Sequence, residues 1–392
     1  MEQRKTVLKK IITIYAVFSI LVTTFLGIAL LTNLNNISQV IKVVTLIKTK
    51  ALQPLNDEKL ATGAAVGMVE ALKDPYSTYL DPELFKSLTE HITGSYGGVG
   101  LLVTMEQENR LVVVSPFKGT PAHQAGIMSG DWIVKIDDQD TTQMPLDKAA
   151  SLMQGKPDTK VKLSVQREGQ EGVKDYELTR KIIQIPSVEG QMLKENSDIA
   201  YVSITQFSER TGQELTNVLN DLGKNRYKGI ILDLRNNPGG LLPAALEVAS
   251  IFVPKGPIVH IVGKNDSETY KAPGGYLQVP LAVLVNKGSA SASEIVSGAI
   301  KDTKSGILVG ERTFGKGLVQ TVFELGGGAA VKLTTAKYLT PNKIDINKKG
   351  IEPNIKVALP QSLEREALLN APNEDKDPQL KKAIEALHAQ LQ

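Results

Sequence analysis

Between Ile199 and Val309, short apolar runs alternate with amphipathic segments, and this alternation restricts the fold more than any other property of the chain. Ile199–Ile204, Gly229–Leu234, Leu281–Val285 and Ile307–Val309 have the length and apolar character of strands. Between them, Glu209–Leu222, Leu242–Phe252 and Ser291–Asp302 read as helices, the first with Leu215, Val218, Leu219 and Leu222 on one face. Strands separated by helices predict an α/β core with parallel pairing. After them, Gly315–Leu325 and Ala329–Ala336 flank Gly326-Gly327-Gly328 and predict a hairpin.

A second region, residues 95–180, has a different grammar. Val99–Val103, Leu111–Val114, Asp131–Ile136, Lys160–Arg167 and Asp175–Arg180 read as strands, and Pro145–Gln154 as a short helix. Val161, Leu163 and Val165 alternate with polar residues, as in a strand buried on one face. Residues 33–94 are mostly helical in character and break at the turn-rich Asp74-Pro75-Tyr76-Ser77-Thr78-Tyr79-Leu80-Asp81-Pro82. Asp377–Leu391 carries Leu380, Ile384, Leu387 and Leu391 at helical spacing.

The amino terminus opens with Arg4, Lys5, Lys9 and Lys10 ahead of 21 uncharged residues, Ile11–Leu31. That is enough helix to cross about 30 Å of hydrocarbon, and longer than the roughly 7–15 residues of a secretory core. No small-x-small cleavage site follows. The expectation is one retained transmembrane signal anchor, with the basic flank cytoplasmic and the bulk of the chain outside. A buried core helix is the alternative.

Composition removes several chemistries. The chain of 392 residues has no cysteine, which excludes disulfides, zinc-thiolate sites and cysteine nucleophiles. Its four histidines are scattered without metal-ligand spacing, so no metal is expected. A net charge of +3 without basic clusters interleaved with aromatics gives no nucleic-acid partner.

What remains is a serine and a lysine. Ser291 stands in Asn286-Lys287-Gly288-Ser289-Ala290-Ser291-Ala292-Ser293-Glu294, where a strand passes into a helix. Amides at a helix start are unpaired within the helix and can hold an oxyanion. The same position suits a capping serine, and spacing does not choose among Ser289, Ser291 and Ser293. Lys316 stands in Thr313-Phe314-Gly315-Lys316-Gly317-Leu318-Val319-Gln320. A lysine kept neutral by burial and local field can take a serine proton. If the segment is extended, Gln320 lies on the same face and could orient the amine.

Three rival motifs are weaker. Gly310-x-x-x-x-Gly315-Lys316 copies most of a phosphate-binding loop, but Gly317 replaces the magnesium-ligating hydroxyl and a strand follows instead of a helix. Ser115-Pro116-Phe117-Lys118 fits Ser-x-x-Lys at a strand-end turn without its companion motifs. A Ser-His-Asp triad would need His260, which no feature singles out.

Four segments together resemble the carboxyl-terminal processing peptidases, the tail-specific serine proteases of family S41. They are Asp74-Pro75-Tyr76-Ser77-Thr78-Tyr79, the module Tyr96–Arg180, Asp233-Leu234-Arg235-Asn236-Asn237-Pro238-Gly239-Gly240, and the paired Ser291 and Lys316 segments. The resemblance runs from about residue 37 to the end. It implies a crotonase/ClpP-like α/β protease core with an inserted β-rich PDZ domain, helical terminal segments and one N-terminal transmembrane helix. It also implies Ser291 as nucleophile, Lys316 as general base, Gln320 as its support, and an oxyanion hole from Gly239, Gly240 and Ala292.

In the module, Gly98-Val99-Gly100-Leu101 resembles a PDZ carboxylate-binding loop, where successive amides cradle a chain end and the next strand pairs with it. Arg167 resembles the family's arginine that couples tail binding to activation. The chain then divides into a basic flank (1–10), an anchor (11–31), a helical region (32–94), a PDZ domain (95–180), the protease core (181–358) and a C-terminal helical segment (359–392). The expected activity is cleavage of proteins near their C-terminus, without metal or cofactor. Its partners would be unstructured protein tails, the membrane and a second copy of the chain. A catalytically silent membrane scaffold that only binds tails, and a crotonase-type acyl-CoA enzyme, are the rival readings.

Overall fold

The computed structural model describes residues 2–53, 56–106, 110–360 and 372–391, with the side chains of residues 1–12, 14 and 25–36 outside the description. The chain divides into two units, Met1–Tyr79 and Leu80–Gln392.

The first unit contains α1 (Glu2–Lys50) and α2 (Asp57–Glu70). α1 continues for 49 residues, so the expected 21-residue anchor at 11–31 is part of a longer helix and not a separate element. Among the described residues no helix is long and apolar enough to cross a membrane. Much of the apolar run, including residues 25–31, lies outside the described side chains. Where they are described, Tyr15, Phe18, Ile20 and Leu21 are exposed. α2 starts at Asn56, whose side chain accepts from the Lys59 amide.

β1 (Thr78–Leu80) leads into the second unit and α3 (Pro82–Thr93). Asp81 caps α3 by accepting from the Leu84 amide, Pro82 occupies the first turn, and left-handed Gly94 stops the helix.

The β-rich module follows as β2 (Ser95–Gly98), β3 (Leu101–Glu106), β4 (Arg110–Pro116), α4 (Pro121–Gln124), β5 (Trp132–Ile136), β6 (Gln139–Asp140), α5 (Leu146–Met153), β7 (Lys160–Gln166), β8 (Val173–Thr179) and β9 (Lys181–Gln184). Its sheet runs β3-β4-β5-β7-β8, with β6 on β5. Val161, Leu163 and Val165 are buried, as their alternation required, and pack with Leu111, Val113 and Ile133. β2 and β9 pair antiparallel from Ser95↔Gln184 to Gly98↔Lys181. The module therefore leaves and rejoins the chain through one two-stranded neck.

The core comprises β10 (Val188–Met192), β11 (Ile199–Ile204), α6 (Thr211–Gly223), β12 (Gly229–Asp233), α7 (Leu242–Phe252), β13 (Gly256–Gly263), β14 (Ser267–Ala272), β15 (Leu281–Val285), α8 (Ala292–Thr303), β16 (Ile307–Gly310), β17 (Leu318–Gly326), β18 (Ala329–Leu339), β19 (Ile355–Lys356) and α9 (Pro378–Leu391). The central sheet runs β10-β11-β12-β15-β16-β19, parallel from β11 to β19, with β10 antiparallel at the edge. This is the parallel α/β core that the alternation predicted.

Both faces of that sheet are covered. Ile230, Leu232, Val283 and Val285 face a cluster that includes Leu215, Val248 and Ala299 of α6, α7 and α8. Ile231, Ala282 and Leu284 face Leu380, Ala383, Ile384 and Leu387 of α9. Burial on both faces is why these strands read as unbroken apolar runs. A second sheet, β17-β18-β13-β14, contains the expected hairpin and a pair, β13–β14, that the sequence reading did not anticipate. Residues of β14 such as Glu268 and Lys271 are too polar to give a strand signal, while β13 carries the apolar run Ile258-Val259-His260-Ile261-Val262.

Candidate active site

Ser291 is the N-cap of α8, directly after the loop that leaves β15, and it adopts φ 54°, ψ −112°. A non-glycine residue held in so sparsely populated a region marks strain maintained by its surroundings. Those surroundings also separate the three serines. Ser289 is fully buried; its hydroxyl donates to the Leu234 carbonyl at 2.7 Å and accepts from the Asn286 amide at 3.0 Å. Ser293 is fully buried and donates to the Asn237 carbonyl at 2.9 Å. Ser291 is only half-buried. Two hydroxyls are thus structural, which the sequence could not tell.

Glu294 joins Ser291 to Lys316. Its carboxyl group is fully buried and accepts four hydrogen bonds. Oε1 takes the Thr313 hydroxyl at 2.6 Å and the Gly315 amide at 2.8 Å. Oε2 takes the amides of Ser291 and Lys316, each at 2.9 Å. The Tyr338 hydroxyl bonds the Ser291 carbonyl at 3.1 Å and also the Lys316 carbonyl. Burial, reinforced by the charge of Glu294, holds the Tyr338 phenol well above its ordinary pKa, so it stays a donor. The backbones of Ser291 and Lys316 are therefore neighbours, clamped by one carboxylate and one phenol. The signal for Glu294 was present, since Ser-x-x-Glu at a helix start lets the third residue reach back to the cap amide. Tyr338, 22 residues beyond Lys316, carried no local signal.

This arrangement also disposes of the phosphate-loop reading. The Gly315 and Lys316 amides that would cradle a phosphate face a carboxylate, and β17, not a helix, follows.

The glycine turn lies against Ser291. A Cβ on Gly239 (φ 104°) would come within 2.8 Å of the Ser291 Cβ and 2.9 Å of the Ala292 amide nitrogen, so only glycine fits. Asn237, fully buried, organises the turn. Its Nδ2 donates to the Ile204 carbonyl, its Oδ1 accepts from the Gly239 amide at 2.9 Å, and its carbonyl accepts from the Ala290 amide. Of the expected oxyanion donors, Gly239 N–H is thus engaged with Asn237. Gly240 is bridged to Phe207, and Ala292 opens α8, where an amide has no partner within the helix.

Gln320 lies within β17, and Lys316 stands two residues before that strand. β17 begins only at Leu318, and its register shifts between Val319 and Gln320. The extra residue at that shift, Thr335, lies on β18, so β17 itself gains no residue there. Gln320 Nε2 donates to Thr334 Oγ1 at 3.3 Å across the hairpin.

In the module, Gly98 ends β2, and Val99-Gly100 link it to β3. The Val99 carbonyl accepts from the Ala122 amide at 3.0 Å and the Gly100 carbonyl from the Phe117 amide at 2.9 Å. Gly100 has φ 80°, and a Cβ there would strike Thr120 at 2.4 Å. A cavity of about 40 Å³ under this loop is lined by Tyr96, Val99, Leu101, Val103, Ala150 and Met153. It shares Tyr96, Leu101 and Gln154 with a larger cavity, about 460 Å³, that reaches Thr205 and Gln206 of the core. The next residue, Phe207, donates its amide to the Gly239 carbonyl. Arg167 is held inside the module by buried Asp131, with Nε–Oδ1 2.6 Å and Nη2–Oδ2 2.8 Å, and by the Gly126 carbonyl at 2.8 Å. Among the described residues no cluster of histidine, aspartate or glutamate could hold a metal ion.

Residues 198–357 match peptidase family S41, residues 112–167 a PDZ domain, and residues 28–84 the N-terminal domain of the activating protease CtpB. The carboxy-terminal processing protease CtpA of Bacillus subtilis (strain 168) is 42% identical over 317 residues, which cover 80% of this chain and 67% of that protein. The carboxyl-terminal-processing protease of Synechocystis sp. (strain ATCC 27184 / PCC 6803 / Kazusa) is 40% identical over 313 residues, covering 79% and 73%. Among solved structures, the photosystem II D1 C-terminal processing protease is 33% identical, with a TM-score of 0.50, over 87% of this chain and 92% of that one. The chain belongs to the S41 family of carboxyl-terminal processing serine proteases and carries a PDZ domain.

Proposed function

We propose that Ser291 and Lys316 form the catalytic dyad of a membrane-anchored endopeptidase that takes hold of an unstructured protein tail through its PDZ domain and cleaves near it. The observation that carries this reading is the shared hydrogen bonding of the Ser291 and Lys316 amides to Glu294 Oε2. In the proposed reaction Lys316 accepts the Ser291 hydroxyl proton as the oxygen attacks the scissile carbonyl. With the Gly239 amide given to Asn237, Gly240 and Ala292 are the donors left for the oxyanion. Lys316 then protonates the leaving amine, and a water deprotonated by the same lysine releases the acyl group. Gln320 would support the lysine from the hairpin.

The tail would end at Gly98-Val99-Gly100-Leu101, its last side chain in the small cavity under the loop, and run through the larger cavity toward the core edge. Arg167 would couple tail binding to the core on leaving Asp131. Anchoring rests on the sequence alone, the basic flank followed by 21 uncharged residues, with the catalytic part extracytoplasmic. Pairing into a homodimer and a crotonase/ClpP-like ancestry of the core belong to the same proposal.

The test uses the chain from about residue 37, with Ser291→Ala and Lys316→Ala as controls, offered unfolded β-casein. Cleavage by the parent and by neither variant is expected. Unchanged cleavage by either variant would remove the mechanism, and an inert parent would favour a tail-binding scaffold.

A further inference from the structure

The glycine turn is attached at its other end to the C-terminal helix. Arg235 opens the turn, and its side chain is only 5% exposed. It binds Asp233 through Nη2–Oδ2 at 2.6 Å and through Nε at 3.0 Å to each oxygen. Its remaining nitrogen, Nη1, donates to Asp377 Oδ2 at 2.7 Å and to Gln379 Oε1 at 3.1 Å. Tyr201 donates to Asp233 at 2.6 Å and closes the cluster. Burial opposes the charge on Arg235, but the charges of Asp233 and Asp377 outweigh it and keep the guanidinium protonated.

Asp377 has two tasks. Its Oδ1 accepts from the amides of Gln379 and Leu380 and so caps α9, while its Oδ2 holds Arg235. Capping alone would not need the second contact or the burial. One residue after Arg235, the Asn236 amide bonds Asn286 Oδ1 at 2.8 Å; two residues after it, Asn237 fixes Gly239. A continuous set of bonds thus runs from the start of α9, through Arg235, to the turn beside Ser291.

We propose that Asp377 is a positioning residue: by holding Arg235 it makes docking of the C-terminal helix set the geometry of the glycine turn beside Ser291. This rests on the reading that the turn serves the oxyanion, but its structural half can be measured without any activity. Bidentate guanidinium–carboxylate geometry supplies the angular precision that a catalytic turn needs.

Asp377→Asn separates the two tasks, since asparagine caps helices as well as aspartate does but brings no charge to Arg235. Leu387→Ala is the comparison: it weakens packing of the same helix about three turns away and leaves Asp377 in place. Hydrogen exchange at the amides of residues 236, 237 and 239–241 is expected to rise about tenfold in Asp377→Asn and to stay as in the parent in Leu387→Ala, although the latter has the lower Tm. In cleavage assays Asp377→Asn should lose about tenfold in kcat with KM within about twofold, and Asp377→Glu should recover most of it. Parent-like exchange in Asp377→Asn would overturn the proposal. So would losses in both variants that simply follow their Tm. Cleavage that survives Ser291→Ala would sink the dyad and not this link, because the exchange measurement stands apart from it.

Discussion

The amides of Ser291 and Lys316 donate to a single oxygen atom, Oε2 of Glu294, at 2.9 Å each. Residues 25 positions apart in sequence are thereby held by one buried carboxylate. Glu294→Gln keeps the volume but replaces one accepting oxygen with a donor, so that two N–H or O–H groups lose their acceptor. Each buried orphan costs about 1–3 kcal/mol. We expect a stability loss of about 2–4 kcal/mol in urea unfolding and, where the fold survives, a fall in kcat of about a hundredfold or more. Parent-like kcat would show that the clamp does not set the geometry.

Tyr338 holds the same two residues through their carbonyls. Tyr338→Phe removes only the hydroxyl and leaves the ring in the core, which predicts a loss of about 1–2 kcal/mol. The separation of the carbonyls it joins should relax, lowering kcat about tenfold while KM stays close to the parent's. Steady-state kinetics on a tail-bearing peptide checks the split.

The serines flanking Ser291 should behave oppositely to it. Ser289→Ala orphans the Asn286 amide and removes one of two donors to the Leu234 carbonyl, and Ser293→Ala removes a bond to Asn237. Each is expected to lose about 1–3 kcal/mol of stability yet retain cleavage below its Tm. Thermal denaturation alongside β-casein cleavage decides this.

Asp131 gives the module an acid-sensitive lock. Burial would raise its pKa, but the hydrogen bonds from Arg167 and the Met128 amide outweigh that and leave it below the ordinary carboxylate value. A carboxylate with a lowered folded pKa adds stability above its unfolded pKa and loses it as pH falls through the folded value. The module should therefore weaken in acid, below the ordinary carboxylate range, and Asp131→Asn should flatten that part of the pH dependence. At neutral pH the variant should lose about 2 kcal/mol, less than for a fully buried pair because Arg167 is 25% exposed. Unfolding measured from pH 7 to pH 3 tests the sign.

Much of this architecture was legible because it depends on burial. β12 and β15 are covered on both faces and wrote continuous apolar runs into the sequence, while β7 is covered on one face and alternated. β14 escaped because an edge strand such as Ser267–Ala272 carries polar residues on both sides, whereas β13, with its Ile258-Val259-His260-Ile261-Val262 run, carried a strand signal that was not used. At the site, Ser291 and Lys316 were identifiable by residue type and by family resemblance. Their juxtaposition was not, because it is made by Glu294, Tyr338 and Asn237 acting on backbone groups. The Arg235–Asp377 link joins residues 142 positions apart and could not be read from local pattern.

The central claim is that Ser291 is the nucleophile and that Lys316 activates it. The most direct measurement is active-site labelling with a serine-directed fluorophosphonate, located by mass spectrometry in the parent and in Lys316→Ala. The account predicts one adduct, on the peptide containing Ser291 and on that residue, absent from Lys316→Ala. An adduct on Ser289 or Ser293, or equal labelling of Ser291 without Lys316, would contradict it.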